Sequence, residues 1–208
     1  MISRQLSKNR IEALTDGIYA IALTLAVLTI NISEIPITGS GSIVPALKTI
    51  LPQLIHYAIA FFVLASFWSA HHRQTDAIKK VDNIYAWLSI ITLFFVALVP
   101  FTTDLIGDYG EYPDAVAVYA GNLFLIGTFS LMAIYHANSK GGLISDEIER
   151  EYIDYFIAKS LIVPVICIII IIFAYTVSAT GSTVIFLLIP VFTRILKQIY
   201  KKRTNDNT

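Results

Sequence analysis

Cysteine is nearly missing from this chain of 208 residues: the one copy, Cys167, stands in the apolar run Ile166-Cys167-Ile168-Ile169-Ile170. A single thiol closes no internal disulfide and builds no Cys-x-x-Cys metal site. Cys167 therefore reads as a small apolar residue, in the core or facing lipid. Charge is scarce too, at 14% of residues, against about 25% in an ordinary soluble domain. Neither sign prevails, with 15 Lys and Arg against 15 Asp and Glu. No overall field draws a polyanion, so a nucleic-acid partner is not expected. Also missing are the His-Glu-x-x-His spacing of zinc proteases, the Gly-rich phosphate loop and the Thr-Val-Gly-Tyr-Gly potassium filter. His72 and Asp76 stand four apart without a further ligand, and Gly181-Ser182 has no histidine in a neighbouring span to serve as base. Neither enzyme chemistry nor a bound cofactor is expected.

What is present is apolar residue in long runs. Hydrophobic residues make up 56% of the chain, more than a soluble fold of this size would hide. At about 20 residues per membrane-spanning helix, that content covers about six spans. Six stretches stand out, at 13–32, 47–70, 84–103, 115–137, 155–178 and 183–200. Each is long enough to cross ~30 Å as a helix, and none alternates as barrel strands do. The sixth is interrupted by Pro190 and Arg194. The expected fold is all-α: one polytopic six-helix unit over 1–208, with no extramembrane domain.

Basic residues orient it. Arg4, Lys8 and Arg10 precede the first span; Arg73, Lys79 and Lys80 follow the second; Lys140 and Arg150 follow the fourth; Lys197, Lys201, Lys202 and Arg203 end the chain. With six spans all four groups share one side, while the other side holds Lys48 against Glu34, Asp108, Glu111 and Asp114. Both termini are thus expected in the cytoplasm of a cell-membrane protein. Ala20-Ile21-Ala22 imitates a signal-peptide cleavage site, but the apolar run continues past it to Ile32 and Asp16 stands where such a run should begin. The loop Ile35-Pro36-Ile37-Thr38-Gly39-Ser40-Gly41-Ser42 is rich in turn formers. Ser145, with Asp146 and Glu147 behind it, is placed to cap a helix. Leu98-Val99-Pro100-Phe101-Thr102 echoes Leu188-Ile189-Pro190-Val191-Phe192-Thr193, a hint of two three-helix repeats.

The first span carries the informative pattern. At about 100° per residue, Leu14, Gly17, Ile21, Thr24, Leu25 and Leu28 form one stripe, apolar except for one hydroxyl. Asp16 falls roughly opposite. A carboxylate one turn inside the membrane boundary is costly without partners. Arg10, His71, His72, Lys80 and Asn83 lie at the same depth, so a buried polar cluster joining the first three helices is expected around Asp16. His72 and Lys79 read instead as side chains reaching for the headgroups. His56 and His136 read as locally satisfied, and Asp104 as solvated.

These residues resemble a known family. Arg10-Ile11-Glu12-Ala13-Leu14-Thr15-Asp16 is similar to the R-x-x-x-F-S-D motif opening the first helix of the endolysosomal potassium channels (transmembrane protein 175 type). Gly17 to Leu28 continues the likeness, and Trp68-x-x-His71-His72 ends the second span in the same pattern. Leu14 in place of Phe and Thr15 in place of Ser are the departures; the second keeps the hydroxyl. The resemblance implies a homotetramer whose first helices line a central pore. It implies rings of Ile21, Leu25 and Leu28 as the constriction, and Thr24 as the potassium-preferring position. It also implies that Arg10, Thr15, Asp16, Trp68, His71 and His72 hold the helices together. Apolar rings can gate by excluding water, and four hydroxyls offer a weaker field than stacked carbonyls, so modest selectivity is expected. The expected function is passive, potassium-preferring conduction of monovalent cations. The alternative is a proton-coupled secondary transporter with Asp16 and His71 as proton carriers.

Overall fold

The computed structural model describes residues 7–30 and 44–206, and the turn-rich loop expected at 35–42 lies outside them. Helix α1 (Lys8–Leu25) passes directly into one 3-10 turn (Ala26–Thr29). Helix α2 (Val44–Asp76) has 33 residues, so at 1.5 Å each it is about 50 Å long and outruns a ~30 Å hydrocarbon layer. The third span is made of two helices, α3 (Asn83–Ala97) and α4 (Val99–Tyr109). Then come α5 (Pro113–Lys140) and α6 (Arg150–Thr176). The last span comprises α7 (Ala179–Thr183), a 3-10 turn (Val184–Leu187) and α8 (Leu188–Asp206). Among the described residues six helical stretches are long and apolar enough to cross a membrane, which bears out the expected six-helix, all-α architecture.

The third span differs from the unbroken 84–103 expected. Pro100 has no N–H to give, so a new helix starts around it, the first turn being where proline is tolerated. At the junction the Leu98 N–H donates to the Phe95 carbonyl at 3.2 Å. From α5, Asn122 Nδ2 donates to the same Phe95 oxygen at 3.1 Å and to Thr102 Oγ1 at 3.3 Å. Polar groups freed by a break inside a membrane must find such partners. Both segments of the Leu-x-Pro-x-(Phe)-Thr echo fall at these interruptions, since α8 also begins at Leu188.

Helix α5 is the centre of the packing, with α6 along its length and α3 and α4 on another side. The larger core cluster gathers Tyr19, Leu64, Leu93, Val96, Leu123, Ile126, Cys167 and Ile170. Cys167 is fully enclosed there, so of its two expected settings the core is the one realised. Close approach of α5 and α6 is set at Gly127, where an added Cβ would lie 2.9 Å from Pro164 Cδ. A small residue at the crossing is what lets two backbones meet in a membrane protein. The polar link between α2 and α5 is reciprocal: Gln74 Nε2 donates to the Ser130 carbonyl and Ser130 Oγ donates to Gln74 Oε1, both at 3.1 Å.

At the end where the connections 77–82 and 141–149 lie, a smaller core forms from Ile11, Ile78, Val81, Tyr85, Ile134, Ala137 and Leu143. Gly141 and Gly142 turn the chain out of α5 at φ +67° and +75°, a conformation that favours glycine. The helix expected from Ser145 does not start there. Helix α6 begins at Arg150 after Glu149, and the Ser145 N–H donates instead to the Ala77 carbonyl at 3.0 Å. Pairing with the neighbouring connection, through the bridge between Ile78 and Ile144, outcompetes the local cap. Lys79 also departs from expectation, meeting Asp146 Oδ2 at 2.7 Å. That hydrogen bond raises the Lys79 pKa and lowers that of Asp146, but an exposed pair of this kind adds little stability.

Asp82 is the junction's main polar anchor. One oxygen caps α3 by accepting from the Tyr85 N–H at 2.9 Å. The other lies 2.9 Å from His136 Nε2 and 2.8 Å from Lys140 Nζ, tying α5 to the start of α3. His136 is thus locally satisfied, as expected. Burial pushes the Asp82 pKa up, but the bonds from Lys140, the Tyr85 N–H and His136 outweigh it and hold the carboxyl below the usual carboxylate range.

Two stability outcomes are expected in detergent-solubilised protein. Gly127→Ala drives a methyl into Pro164 and lowers stability by about 1–3 kcal/mol, read from the thermal midpoint. Asp82→Asn keeps a competent cap but weakens two charged contacts, costing about 1–3 kcal/mol at pH 7. Because the folded pKa of Asp82 is depressed, its contribution is present in full above about pH 4 and fades as pH falls below that. The gap between wild type and Asp82→Asn should therefore narrow as pH falls below about 4.

Candidate functional site

Helix α1 buries one side and leaves the other uncovered. Ile11, Thr15, Tyr19, Ala22 and, in the following turn, Ala26 are buried, at spacings of four, four, three and four residues. This side rests on α2 and α3, and the 3-10 turn rests on α4. Leu14, Gly17, Ile21, Thr24, Leu25 and Leu28, the whole stripe read from the sequence, are exposed on the protomer surface. Ile21 is 58% and Leu28 74% exposed, values that ordinary packing within the protomer would not leave. Residues three apart eclipse in a 3-10 turn, so the tightening at Ala26–Thr29 brings Leu28 towards alignment with Leu25.

Thr24 is the stripe's polar element. Its hydroxyl donates back to its own helix, 3.0 Å from the Ala20 oxygen and 2.9 Å from the Ile21 oxygen. With its hydrogen committed inward, the oxygen presents lone pairs outward, the polarity a cation requires.

The motif residues pair across α1 and α2. Trp68 Nε1 donates to Asp16 Oδ1 at 2.9 Å. The Trp68 ring stacks on His72, with centroids 5.7 Å apart and planes 18° apart, and His72 Nε2 lies 3.9 Å from Asp76 Oδ2. One residue back, Thr15 Oγ1 meets His71 Nε2 at a long 3.5 Å, and the His71 ring lies 6.4 Å from that of Tyr19. His71 is buried, while His72 and Asp16 are exposed.

This arrangement corrects the buried cluster expected around Asp16. Among the described residues no cation lies within ion-pair distance of its carboxylate, and Arg10 and Lys80 are exposed. The reason is angular. Thr15 points into the protomer, whereas Asp16, about 100° further round, sits at the edge of the buried side, where the Trp68 indole meets it. His72 likewise stacks on Trp68 and approaches Asp76 instead of standing alone. The Asp82 anchor was the polar junction that the sequence reading did not assemble; the signal available was an Asp one residue before an apolar run, the position of a helix cap. Among the described residues no group of three His, Cys, Asp or Glu side chains could hold a metal ion.

Comparison with known proteins adds the following. Residues 10–100 match the model of the family described as "Endosomal/lysosomal potassium channel TMEM175". A potassium channel of Chamaesiphon minutus is 29% identical over 153 residues, covering 72% of this chain and 75% of that protein. The mouse "Endosomal/lysosomal proton channel TMEM175" is 33% identical over 114 residues, 52% of this chain and 23% of that protein. The crystal structure of a lysosomal potassium-selective channel TMEM175 homolog from Chamaesiphon minutus superposes with a TM-score of 0.78 at 24% identity, covering 90% of this chain and 96% of that one. The fold is therefore shared over nearly the whole chain, and the sequence likeness is strongest in the part that holds α1 to α3. These relatives and structural neighbours are channels, not enzymes. Residues 10–100 thus resemble the endosomal/lysosomal potassium channel TMEM175 family, and the six-helix fold is that of the Chamaesiphon minutus homolog.

Proposed function

We propose that this chain forms a potassium-preferring cation channel as a homotetramer, with α1 of each copy facing a central pore. The single observation that carries the reading is the orientation of α1. The helix is fixed to its protomer through Thr15, Tyr19 and the Asp16–Trp68 bond, and its apolar stripe with Thr24 points away. The apolar stripe with a hydroxyl midway along it, between Ile21 and Leu25, supports a pore-facing orientation of this uncovered side.

In this arrangement Ile21, Leu25 and Leu28 form rings that exclude water when the pore is narrow. Four Thr24 oxygens replace part of the hydration shell of a passing monovalent ion. Arg10, Thr15, Asp16, Trp68, His71 and His72 take no part in coordination; they set the angle at which α1 meets its neighbours. No cofactor enters the reading. The clustering of basic residues at one end supports a cell-membrane protein with both termini in the cytoplasm.

A second reading, a proton-coupled transporter, is favoured by the breaks in the third and sixth spans, since transporters place their sites at interrupted helices. Against it, Asp16 is bonded to Trp68 at a span end and His71 faces Thr15, so the two do not form a direct relay.

Purified protein in potassium-loaded liposomes should show electrogenic, non-saturating potassium flux that needs no proton gradient; saturable, gradient-dependent flux would favour the transporter, and no flux from intact tetramers would overturn both. Thr24→Ala should reduce the potassium-to-sodium permeability ratio several-fold in bi-ionic recordings, and an unchanged ratio removes Thr24 from selectivity. Trp68→Phe removes a hydrogen bond to a charged group, worth about 1.5–3 kcal/mol. It should lower the temperature at which oligomers dissociate while leaving the permeability ratio unchanged.

A further inference from the structure

At the opposite end of the bundle from the termini, α2 and α4 face each other across a small polar cleft. Gln53 and His56, one turn apart on α2, look onto Thr103, Asp104, Gly107 and Asp108 of α4. None of these takes part in the pore reading. Three observations single the cleft out. First, Asp104 and Asp108 are four residues apart on one helix face, so two carboxylates stand side by side at its mouth. Second, Thr103 is 3% exposed, yet its Oγ1 is buried without a hydrogen-bond partner. Elsewhere in the described helices Thr24, Thr75, Thr92, Thr102 and Thr176 all turn their hydroxyls back onto carbonyls three or four residues earlier. Thr103 does not, and it lines the cleft instead. Third, His56 Nδ1 on the facing helix is likewise buried without a partner. Beside Gly107 the cleft is open, since a Cβ there would meet nothing within 4 Å.

We propose that this cleft binds one partly hydrated divalent cation of the magnesium or calcium type. Two carboxylates match its charge, and hydroxyl and carboxylate oxygens are the donors that hard cations take. Among the described residues no three ionisable side chains converge closely enough to ligate a metal directly. The ion therefore keeps waters, as magnesium does in protein sites, and His56 Nδ1 accepts from one of them. Site affinity is on the order of 0.1–1 mM, the range of exposed, weakly enclosed calcium sites. Helix α4 also packs on the 3-10 turn that ends α1. A cation bracing α2 against α4 would thus steady the end of α1 where Leu28 lies.

The inference stands independently of the channel reading, and so does its test. Thermal unfolding of the full chain in detergent is followed in magnesium or calcium chloride, with choline chloride at matched ionic strength as reference. A saturable rise in midpoint is expected for wild type. Asp104→Asn should raise the half-saturating concentration at least about tenfold, and Thr103→Val should raise it several-fold; Asp104 is exposed, so its variant decides the matter if Thr103→Val does not fold. A shift that follows ionic strength alone, or that both variants keep unchanged, overturns the proposal. Reconstituted Asp104→Asn should retain basal potassium flux without divalent ions. Loss of the midpoint shift in wild type with flux intact would sink the cation site and leave the channel standing.

Discussion

The structure depends on how a single helix is divided between two surroundings. Helix α1 has little polar side chain to spend, yet it must be held at one angle to the rest of the protomer. It does so with a narrow strip of residues, Ile11, Thr15, Tyr19, Ala22 and Ala26, seated on α2, α3 and α4. In a bilayer, burial of apolar surface does not drive helices together, because lipid tails are as apolar as leucine; packing and interhelical hydrogen bonds must do it. Hence the weight carried by the indole of Trp68 on Asp16 and the imidazole of His71 beside Thr15.

The same economy governs the rest of the bundle. Polar side chains within the spans are few and most are used where backbone geometry or helix register requires them. Asn122 covers the carbonyl left at the α3–α4 break, Gln74 and Ser130 lock α2 to α5, and Asp82 ties the end of α5 to the start of α3. Side chains of this kind that lack such partners are correspondingly informative, and those at His56 and Thr103 face one cleft.

Much of this was legible from residue order. The six spans could be read because a membrane admits only helices and closed barrels, these runs lack the alternation of barrel strands, and the apolar length needed is set by bilayer thickness. The stripe on α1 could be read because side-chain direction follows helical periodicity whatever the helix touches; Ile21, Thr24, Leu25 and Leu28 all lie where 100° per residue puts them. The surroundings of Asp16 could not. Basic residues at the same depth made an ion-paired cluster the natural expectation, but depth says nothing about rotation. A rotation of 100° separates a side chain aimed into the protomer from one at its margin. Ser145 was misread for a related reason: its local fitness as a cap was real, but the connection at residues 77–79 offered its backbone a better partner.

What the sequence by itself determined, then, is the number of crossings, the helical state of each and the face of α1 that carries the apolar residues and one hydroxyl. All three follow from composition and period along a single chain. Only the tertiary structure decided that this face is the uncovered one, that Asp16 answers to Trp68 instead of to a cation, and that the third span breaks into two helices whose junction Asn122 covers. Those outcomes depend on the relative rotation and register of different helices. That information lies in the packing of side chains between segments far apart in the chain, and no pattern within one segment contains it.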